Sequence, residues 1–588
     1  MDEKRNKRVL LIAKESPIEP LGLLHLAGVA KEEAWESKIV LVKSQDFNSL
    51  DREILEFNPS LIGFTLYTGN HLQTFKYLSH LKITFPNIQT ILGGPHPTYF
   101  PKECEKHADY IVLSEGLNAF RKILRGEANK GVLPLEKQEK FPIPDRTAFY
   151  NYSDKHNNSE IKSIITQTGC PFSCTYCYNS SKLSDISSDL ESHHVKCMEK
   201  SLGPSQRLFP TSVRAVDDII AEVENIRKVS PKTKMIYFQD DLFGVSINWM
   251  REFAKKYPSV GLPFHAQMRF EFANPENPIC KERIELMKEC GCTGMTFAIE
   301  SSNPIVRTEV LNRYMPNELM FNVFDFLNKL NLRVRTEQML GLPYGATSEP
   351  TPVGIDADLE TLELNCKLKE KTELPTMAWA SIFAPYRGTK IGNYCHKHGF
   401  YTGVNNDVPD TFFERSVLQF PKKWVGPTLS LSNPNLWMNK EELENYRTKL
   451  QFLRDHFSFF ANVPDGHKLA RKILSDSDLP KYDSFDKHIT PHLNSLPNEN
   501  PAVKFCKDKT SVEVSLSATT NNLTLHSANV IKDLSTLKTY FSCIPKGELA
   551  LKKVLDYSQD KTQLDTSVLS TAIRHHLYDN VLYDVHNL

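Results

Sequence analysis

Three cysteines in one short segment are the residues of this sequence best suited to hold a metal centre. The segment TQTGCPFSCTYCYNS spans residues 166–180 and places Cys170, Cys174 and Cys177 with three and then two residues between them. Thiolates are soft ligands that bind iron–sulfur clusters well. Three of them leave one iron of a cubane cluster without a protein ligand, and such an open position can bind and activate a small molecule. Three clustered thiolates therefore suit a [4Fe–4S] cluster, although the spacing alone does not separate it from zinc.

Zinc is the alternative occupant of this segment, because structural zinc sites also use clustered thiolates. His193, His194 or Cys197 could then supply the fourth ligand. The position of the segment favours the iron–sulfur cluster. It directly follows the first strand of a series of alternating strands and helices, and loops after such strands carry the chemistry in barrel folds.

Two series of alternating apolar runs and amphipathic stretches must position these residues. The first series predicts parallel strands in a doubly wound sheet, which binds ligands at the carboxyl ends of its strands. The second predicts six βα units that form a barrel or partial barrel. The predicted strands of the first series are 8–13, 38–42, 60–66, 89–94 and 109–113, and those of the second are 161–168, 234–240, 262–269, 294–300, 332–340 and 377–384.

The cysteine segment resembles the corresponding loop of the radical S-adenosylmethionine (SAM) superfamily, which has an aromatic residue, here Tyr176, before the last cysteine. Later segments agree in order: YFQDDLF (237–243), FAIESSNP (297–304), MLGLPYGATSE (339–349) and FAPYRGTKI (383–391). In this family the open iron chelates SAM, and reduction cleaves SAM to methionine and a 5′-deoxyadenosyl radical. The resemblance implies SAM-binding roles for residues at the cluster and at the strand ends, namely Tyr176, Asp240, Asp241, Arg269 and Glu300.

The first 125 residues resemble the cobalamin-binding domain that precedes the radical SAM barrel in one large subgroup. PLGLLHLAG (20–28), IGFTLYTGN (62–70), LGGPHPTYFP (92–101) and ADYIVLSEG (108–116) fit that pattern. The resemblance implies cobalamin contacts at strand ends. Glycines at such ends let the backbone approach a bulky ligand, although they can also serve tight turns alone. The candidate cobalamin-binding residues are Thr65, Gly93, Gly94, Glu115 and Gly116.

The sequence departs from one cobalamin-binding pattern at the residue that would ligate cobalt. The loop KESPIEPLG (14–22) contains no D-x-H-x-x-G, so the histidine that ligates cobalt from below in many cobalamin proteins is missing. Many members of the radical subgroup also lack it, and the lower ligand therefore stays open. His96 is a conceivable polar contact, or simply a loop histidine.

The expected fold is α/β, in four parts. We expect a doubly wound, Rossmann-like cobalamin-binding domain (1–126), a linker (127–160), a partial (β/α)6 TIM-type radical SAM barrel (161–400) and a mostly helical extension (401–588) that is a candidate substrate-binding region. In the extension we predict a helix at 442–460, a hairpin at 511–526 and helices at 547–559 and 564–582.

The composition limits the classes of binding partner and the compartment that we expect for this protein. Lys plus Arg and Asp plus Glu both number 71, so no net charge points to nucleic acid or to an acidic membrane. No window reaches the apolar length of about 20 residues that a membrane span needs. Twelve cysteines scattered over 588 residues are unlike a secreted disulfide framework. A cytoplasmic protein is the expectation.

Three functions remain open from the sequence. The first is a cobalamin-dependent radical SAM methyltransferase that acts on an unactivated carbon of a natural product, peptide or lipid. The second is a radical SAM enzyme that catalyses a rearrangement or oxidation, with or without cobalamin. The third is a non-catalytic zinc-containing binding protein. The expected cofactors are a [4Fe–4S] cluster, SAM and cobalamin, and the expected partners are a small-molecule or peptide substrate and an external electron donor such as flavodoxin or ferredoxin.

Overall fold

The computed structural model describes residues 6–475, apart from 17, 44–46, 137–140, 412–414, 428–432 and 463–464, together with 512–517 and 522–527. Among these residues no helix has the length and apolar character that crossing a membrane demands.

The amino-terminal domain is a six-stranded parallel sheet in the order β2-β1-β3-β4-β5-β6. Alternate residues of β1 enter two separate cores, Leu10 and Ile12 on one face and Val9 and Leu11 on the other. Helices therefore cover both faces, as the apolar runs predicted. The strands are β1 (Arg8–Lys14), β2 (Glu36–Val42), β3 (Leu61–Thr65), β4 (Gln89–Gly93), β5 (Tyr110–Val112) and β6 (Gly131–Leu133), and the helices are α1 (Leu21–Glu32), α2 (Phe47–Phe57), α3 (His71–Thr84), α4 (Pro95–Tyr99), α5 (Pro101–Glu105) and α6 (Leu117–Arg125).

The segment interpreted as a linker has structure of its own. It supplies the edge strand β6, which pairs with β5, and two short helices, α7 (Thr147–Tyr150) and α8 (Asp154–Asn157). The domain boundaries at 126, 160 and 400 stay predictions.

The second domain is an open half-barrel of six parallel strands in the order β7-β10-β11-β12-β13-β14, which confirms the predicted partial (β/α)6 barrel. The two-residue strands β8 and β9 pair antiparallel beside its first strand. The strands are β7 (Ile161–Ile164), β8 (Gln167–Thr168), β9 (Ser212–Val213), β10 (Met235–Phe238), β11 (Phe264–Met268), β12 (Cys292–Glu300), β13 (Arg333–Leu340) and β14 (Met377–Ile382), and the helices are α9 (Ser192–Leu202), α10 (Val216–Val229), α11 (Ile247–Lys256), α12 (Pro278–Glu289), α13 (Asn317–Lys329), α14 (Ile355–Thr372) and α15 (Lys390–Lys397).

The extension packs on the β14 side of the half-barrel through α16 (Lys440–Asn462) and α17 (Gly466–Ser475). Tyr446 on α16 donates a hydrogen bond of 2.7 Å to the buried carboxyl of Asp358 on α14. The predicted hairpin is confirmed as β15 (Val512–Ser517) paired antiparallel with β16 (Asn522–Ser527). The helices predicted at 547–559 and 564–582 lie outside the described residues.

Candidate active site

The cysteine loop leaves the barrel directly after β8 through a residue that must be glycine. Gly169 has φ +69°, and a Cβ there would lie 2.8 Å from the backbone of Phe209 and Pro210. Arg207 then holds the loop, because its guanidinium donates to the carbonyls of Cys170 and Phe172 and to the hydroxyl of Ser173. The loop conformation is thus fixed by side chains that lie outside it.

The three cysteines are free thiols at the carboxyl edge of the barrel, with Cys170 and Cys174 buried. Burial raises the pKa of the Cys170 and Cys177 thiols. Two cations face Cys174: Nη1 of Arg269 lies 3.2 Å from its Sγ, and Nη1 of Arg313 lies 4.0 Å away. These guanidiniums would offset the negative charge of a thiolate-bound cluster.

Zinc does not suit this arrangement. Tetrahedral zinc needs its ligand atoms gathered around one ion at about 2.0–2.3 Å. Among the described residues, no group of three potential metal ligands within 4.8 Å includes a cysteine, whereas His193 and His194 lie with Glu191 on the surface. Thiolates on three different irons of a cubane need no such common centre. The donor set therefore fits an iron–sulfur cluster.

A hydrogen-bonded trio joins the partly buried Tyr176 of the cluster loop to the buried side chains of Glu300 and Arg313. The Tyr176 hydroxyl donates to Glu300 Oε1 over 2.6 Å, and Arg313 Nη1 donates to the same hydroxyl over 2.9 Å. Glu300 ends β12 in the left-handed region, at φ +65°, where the register with β13 shifts. Burial raises the pKa of the Glu300 carboxyl, although Arg313 and Tyr176 oppose the shift. The carboxyl is thus held in a fixed, dry position at the cluster edge.

The two neighbouring aspartates after β10 have different environments. Asp240 is fully buried, and its Oδ1 accepts hydrogen bonds from the backbone of Thr166 and Gln167, which fixes the chain entering the cluster loop. Asp241 is solvent-accessible and accepts a 2.6 Å hydrogen bond from Asn179. Of the two carboxyls, only that of Asp241 has an accessible surface to offer a ligand.

The candidate cobalamin residues lie at the carboxyl edge of the amino-terminal sheet. Thr65 ends β3 and lines a small cavity of about 30 Å³ between the ends of β1 and β3, where the strand order reverses. A Cβ on Gly93 would meet no atom within 4 Å. Gly94 has φ +103°, and a Cβ on Gly116 would lie 2.7 Å from Val112. The local backbone and packing therefore explain why glycine stands at these two positions. The open face at Gly93 is the one that suits a bulky planar ligand.

The carboxyl edges of the two sheets face each other. Glu115, after β5, accepts a hydrogen bond from the Thr168 hydroxyl, two residues before Cys170. Tyr99 on α4 donates to Ser181 Oγ over 2.9 Å. The polar ends of both sheets are therefore held together beside the cluster loop.

An exposed tyrosine lies near each of these two edges. Tyr67 follows β3 and Tyr178 follows the cluster loop, and they expose 55% and 39% of their surface. Even so, burial raises the pKa of both phenols, and Asp241, Cys177 and Tyr67 raise that of Tyr178 further. Tyr67 and Tyr178 therefore lie near each other where the two sheets meet, and each keeps an accessible surface.

A buried ion network fixes the domains against each other. Arg146, from the segment between the sheets, contacts Glu19 of the first domain at 3.1 Å and Glu222 of the barrel at 2.6 Å. Arg214 also pairs with Glu222 at 2.6 Å. Buried charges of this kind are costly unless paired, so the network holds one relative position of the two sheets.

The match to known domain families is consistent with this arrangement. Residues 7–124 match the B12 binding domain, and residues 164–347 match the Radical SAM superfamily. This chain combines a B12 binding domain with a Radical SAM domain. The resemblances inferred from the cysteine loop and from the strand-end glycines are thereby confirmed.

Known relatives match over most of their length. An uncharacterized methyltransferase of Pyrococcus horikoshii is 23% identical over 66% of this chain and 80% of its own. The cytidylyl-2-hydroxyethylphosphonate methyltransferase of Streptomyces wedmorensis is 22% identical over 70% of this chain and 84% of its own. The structure of OxsB, a cobalamin-dependent SAM radical enzyme with aqua-cobalamin bound, covers 85% of this chain and 78% of that chain at 14% identity, with a TM-score of 0.51. The likeness to OxsB supports the fold.

Several residues of the site had no signal in the sequence. Arg207, Arg313 and Arg146 lie in polar stretches where an arginine is usually a solvated charge. Their contacts depend on chain segments that are distant in sequence, so neither periodicity nor a short motif could have found them. The roles of Tyr176, Asp240, Asp241, Arg269 and Glu300 toward SAM, and those of Thr65, Gly93, Gly94, Glu115 and Gly116 toward cobalamin, stay predictions.

Proposed function

We propose that this enzyme transfers a methyl group to an unactivated carbon of a natural product, peptide or lipid. The observation that carries the proposal is the contact between the carboxyl edges of the two sheets beside the cluster loop, where Thr168 donates to Glu115 and Tyr99 donates to Ser181. A substrate there would touch the ligand sites of both domains at once. The names of both curated relatives, which are methyltransferases, favour methyl transfer over rearrangement.

Each cofactor has a set of residues that would hold it. Cys170, Cys174 and Cys177 would ligate the cluster, Asp241 and Glu300 would contact SAM, and Thr65 with the open backbone at Gly93 would contact cobalamin. When bound, SAM at the cluster supplies a 5′-deoxyadenosyl radical and cobalamin supplies a transferable methyl group.

The protein's own task is positioning and the exclusion of water. Glu300 and Arg313 are buried and Tyr176 is partly buried, so the polar groups of this trio keep their geometry with little solvent rearrangement. The ion pairs of Arg146 hold the carboxyl edges of the two sheets in one relative position. Such rigidity matters because a misplacement of about 1 Å can cost on the order of 100-fold in rate.

We also propose the partners that this reaction needs. Cluster reduction requires an external low-potential donor of the flavodoxin or ferredoxin type, which would be met in the cytoplasm. The extension, packed along β14, is proposed to contribute substrate contacts.

The test uses SAM labelled on its methyl group and needs no substrate for its first stage. Protein loaded with cluster and reduced cobalamin should transfer the label to the cobalamin fraction and release S-adenosylhomocysteine. With substrate, labelled product should form together with 5′-deoxyadenosine. Product without label, formed while 5′-deoxyadenosine accumulates in step with turnover, would replace methyl transfer by rearrangement or oxidation.

A further inference from the structure

A second group of metal-ligating side chains lies in the B12-binding domain, away from the cysteine loop. His71 begins α3, His96 lies in α4 and Glu103 lies in α5. Each offers one ligand atom, and the three atoms lie within 4.8 Å of one another. Both histidines are fully buried, and their rings stack with centroids 4.4 Å apart.

The two ring nitrogens of His96 have different surroundings. His96 Nδ1 contacts the Thr68 hydroxyl at 2.8 Å, so one side of the ring is satisfied. Nε2 is buried and has no hydrogen-bond partner in the described part of the chain. The nearest carboxylate oxygen, Oε2 of Glu103, is 3.7 Å away. That distance is too long for a hydrogen bond but suits two ligands that share one ion at about 2.0–2.2 Å from each.

The surrounding groups resemble the outer shell of a metal site. Thr68 fixes the orientation of the His96 ring, as outer hydrogen bonds do for metal-bound histidines. Asn405 of the extension donates to Glu103 Oε2 over 3.3 Å, and its own Oδ1 is buried without a partner among the described residues. His71 has two contacts of 3.2 Å, from Nδ1 to the Gly69 amide and from Nε2 to Asn406. An ion would replace one of these long contacts.

We propose that His71, His96 and Glu103 bind a divalent cation of the zinc class, with Asn405 Oδ1 as an additional oxygen ligand. Two imidazoles and one carboxylate are a ligand set that zinc uses. The site contains no cysteine and is separate from the cluster loop.

The ion would fasten the extension to the B12-binding domain. The loop that carries Gly69 already touches residue 409 closely, because a Cβ on Gly69 would lie 2.5 Å from the carbonyl oxygen of Pro409. Lys14, at the end of β1, pairs with Asp410 at 2.5 Å. The extension therefore closes over the strand ends that line the Thr65 cavity, and the ion would hold it there.

The test measures zinc and iron in the same sample. Tag-free protein with its cluster reconstituted is equilibrated with zinc chloride, desalted and analysed by mass spectrometry of the elements. We expect about one zinc per chain in the parent, and at least about tenfold less in His96→Ala and in Glu103→Gln. The control is the double variant His193→Ala/His194→Ala, which removes the exposed group around Glu191 and should keep its zinc.

Iron content and thermal unfolding separate ligand loss from misfolding. Glu103 is about one-third exposed, so Glu103→Gln should keep the iron content and lose the rise in Tm that zinc gives the parent. If His96→Ala loses iron as well, Glu103→Gln alone decides. A parent that retains less than about a tenth of an equivalent of zinc, a Glu103→Gln variant that retains the parent's amount, or loss of zinc in the His193/His194 control would each overturn the proposal.

Discussion

The hydroxyl of Tyr176 donates a 2.6 Å hydrogen bond to the carboxylate of Glu300, across 124 positions of sequence. Arg313 Nη2 donates to the carbonyl of Ala298 and Nη1 donates to the Tyr176 hydroxyl, so the guanidinium joins the strand end to the cluster loop. The carboxylate that the resemblance assigns to SAM is therefore positioned by the residue that precedes the last cysteine.

Replacing Glu300 should weaken SAM binding more than it weakens the fold. Glu300→Gln removes the charge of a buried, hydrogen-bonded carboxyl, and we expect about a tenfold higher Kd for SAM. Tyr176→Phe should have a smaller effect, because it removes only the group that orients Glu300. Tyr257→Phe is the matched control, since the buried Tyr257 hydroxyl has no hydrogen-bond partner in the part of the chain described. Equal Kd values in the parent and Glu300→Gln would remove Glu300 from the SAM site.

Substitution of the two aspartates after β10 should have different effects on SAM binding. Asp241→Asn should weaken SAM binding, because Asp241 is accessible, whereas Asp240→Asn should change the Kd by less than about twofold. If both variants bind SAM like the parent, neither aspartate contacts it.

The Asp240 carboxyl should instead contribute to the pH dependence of the free energy of unfolding. Burial raises the pKa of its carboxyl to about 7, against the hydrogen bonds from Thr166 and Gln167. Because the folded-state pKa is raised, this group's contribution is fully present below its ordinary pKa and is lost as the pH rises towards 7. Urea unfolding between pH 4 and pH 8 should therefore show a flatter profile for Asp240→Asn than for the parent. Parallel profiles would contradict the raised pKa.

The buried ion network makes a second prediction about stability. Arg146→Ala leaves Glu19 and Glu222 without one of their cations, and we expect a loss of about 3–5 kcal/mol of unfolding free energy at pH 7. Arg121→Ala is the control, because its ion pairs with Glu32 and Glu33 are partly exposed and are each worth less than about 1 kcal/mol.

Glu222, which pairs with Arg146, should change stability with pH in the opposite direction to Asp240. Burial would raise the pKa of Glu222, but Arg214 and Arg146 outweigh it and hold the pKa below its ordinary value. Stability from this group is therefore present above the ordinary pKa and is lost as the pH falls through the lowered one. The difference between parent and Arg146→Ala should shrink as the pH falls below the ordinary glutamate pKa of about 4.3. A difference that is constant with pH would mean that Arg146 acts through packing alone.

Strand positions and the metal loop could be predicted from the sequence because each has a local signal. The run from Arg8 to Ala13 is apolar on both faces, and the spacing of the cysteines is contained within eight residues. The interdomain contacts have no such signal. Glu115 is separated from Thr168 by 53 positions, and Glu19 from Arg146 by 127. Which charged side chains become buried is decided when the two sheets dock, and one sequence does not reveal that step.

The cysteines should account for all cluster iron. Anaerobically reconstituted parent should contain about four iron and four sulfide, and the variant with Cys170, Cys174 and Cys177 all replaced by alanine should contain almost none. Cys197→Ala is the control, because Cys197 is the one cysteine among the three residues that could supply the fourth ligand in the zinc alternative. Full iron content in the triple variant would refute the assignment.

Gly93 offers the sharpest test of cobalamin at the amino-terminal edge. A side chain there meets no protein atom within 4 Å at its Cβ, so Gly93→Leu should fold normally and fill the space that a corrin ring would occupy. We expect cobalamin retained through gel filtration to fall at least about tenfold, while cluster iron stays at about four per chain. Gly94→Ala is a poorer test, because φ +103° and a Leu66 oxygen at 3.0 Å make any side chain strained, and lost cobalamin could then reflect a distorted loop. Full cobalamin retention in Gly93→Leu would place the cofactor elsewhere. No cobalamin binding by the parent, under either reducing or oxidising conditions, would refute cobalamin as a cofactor of this chain.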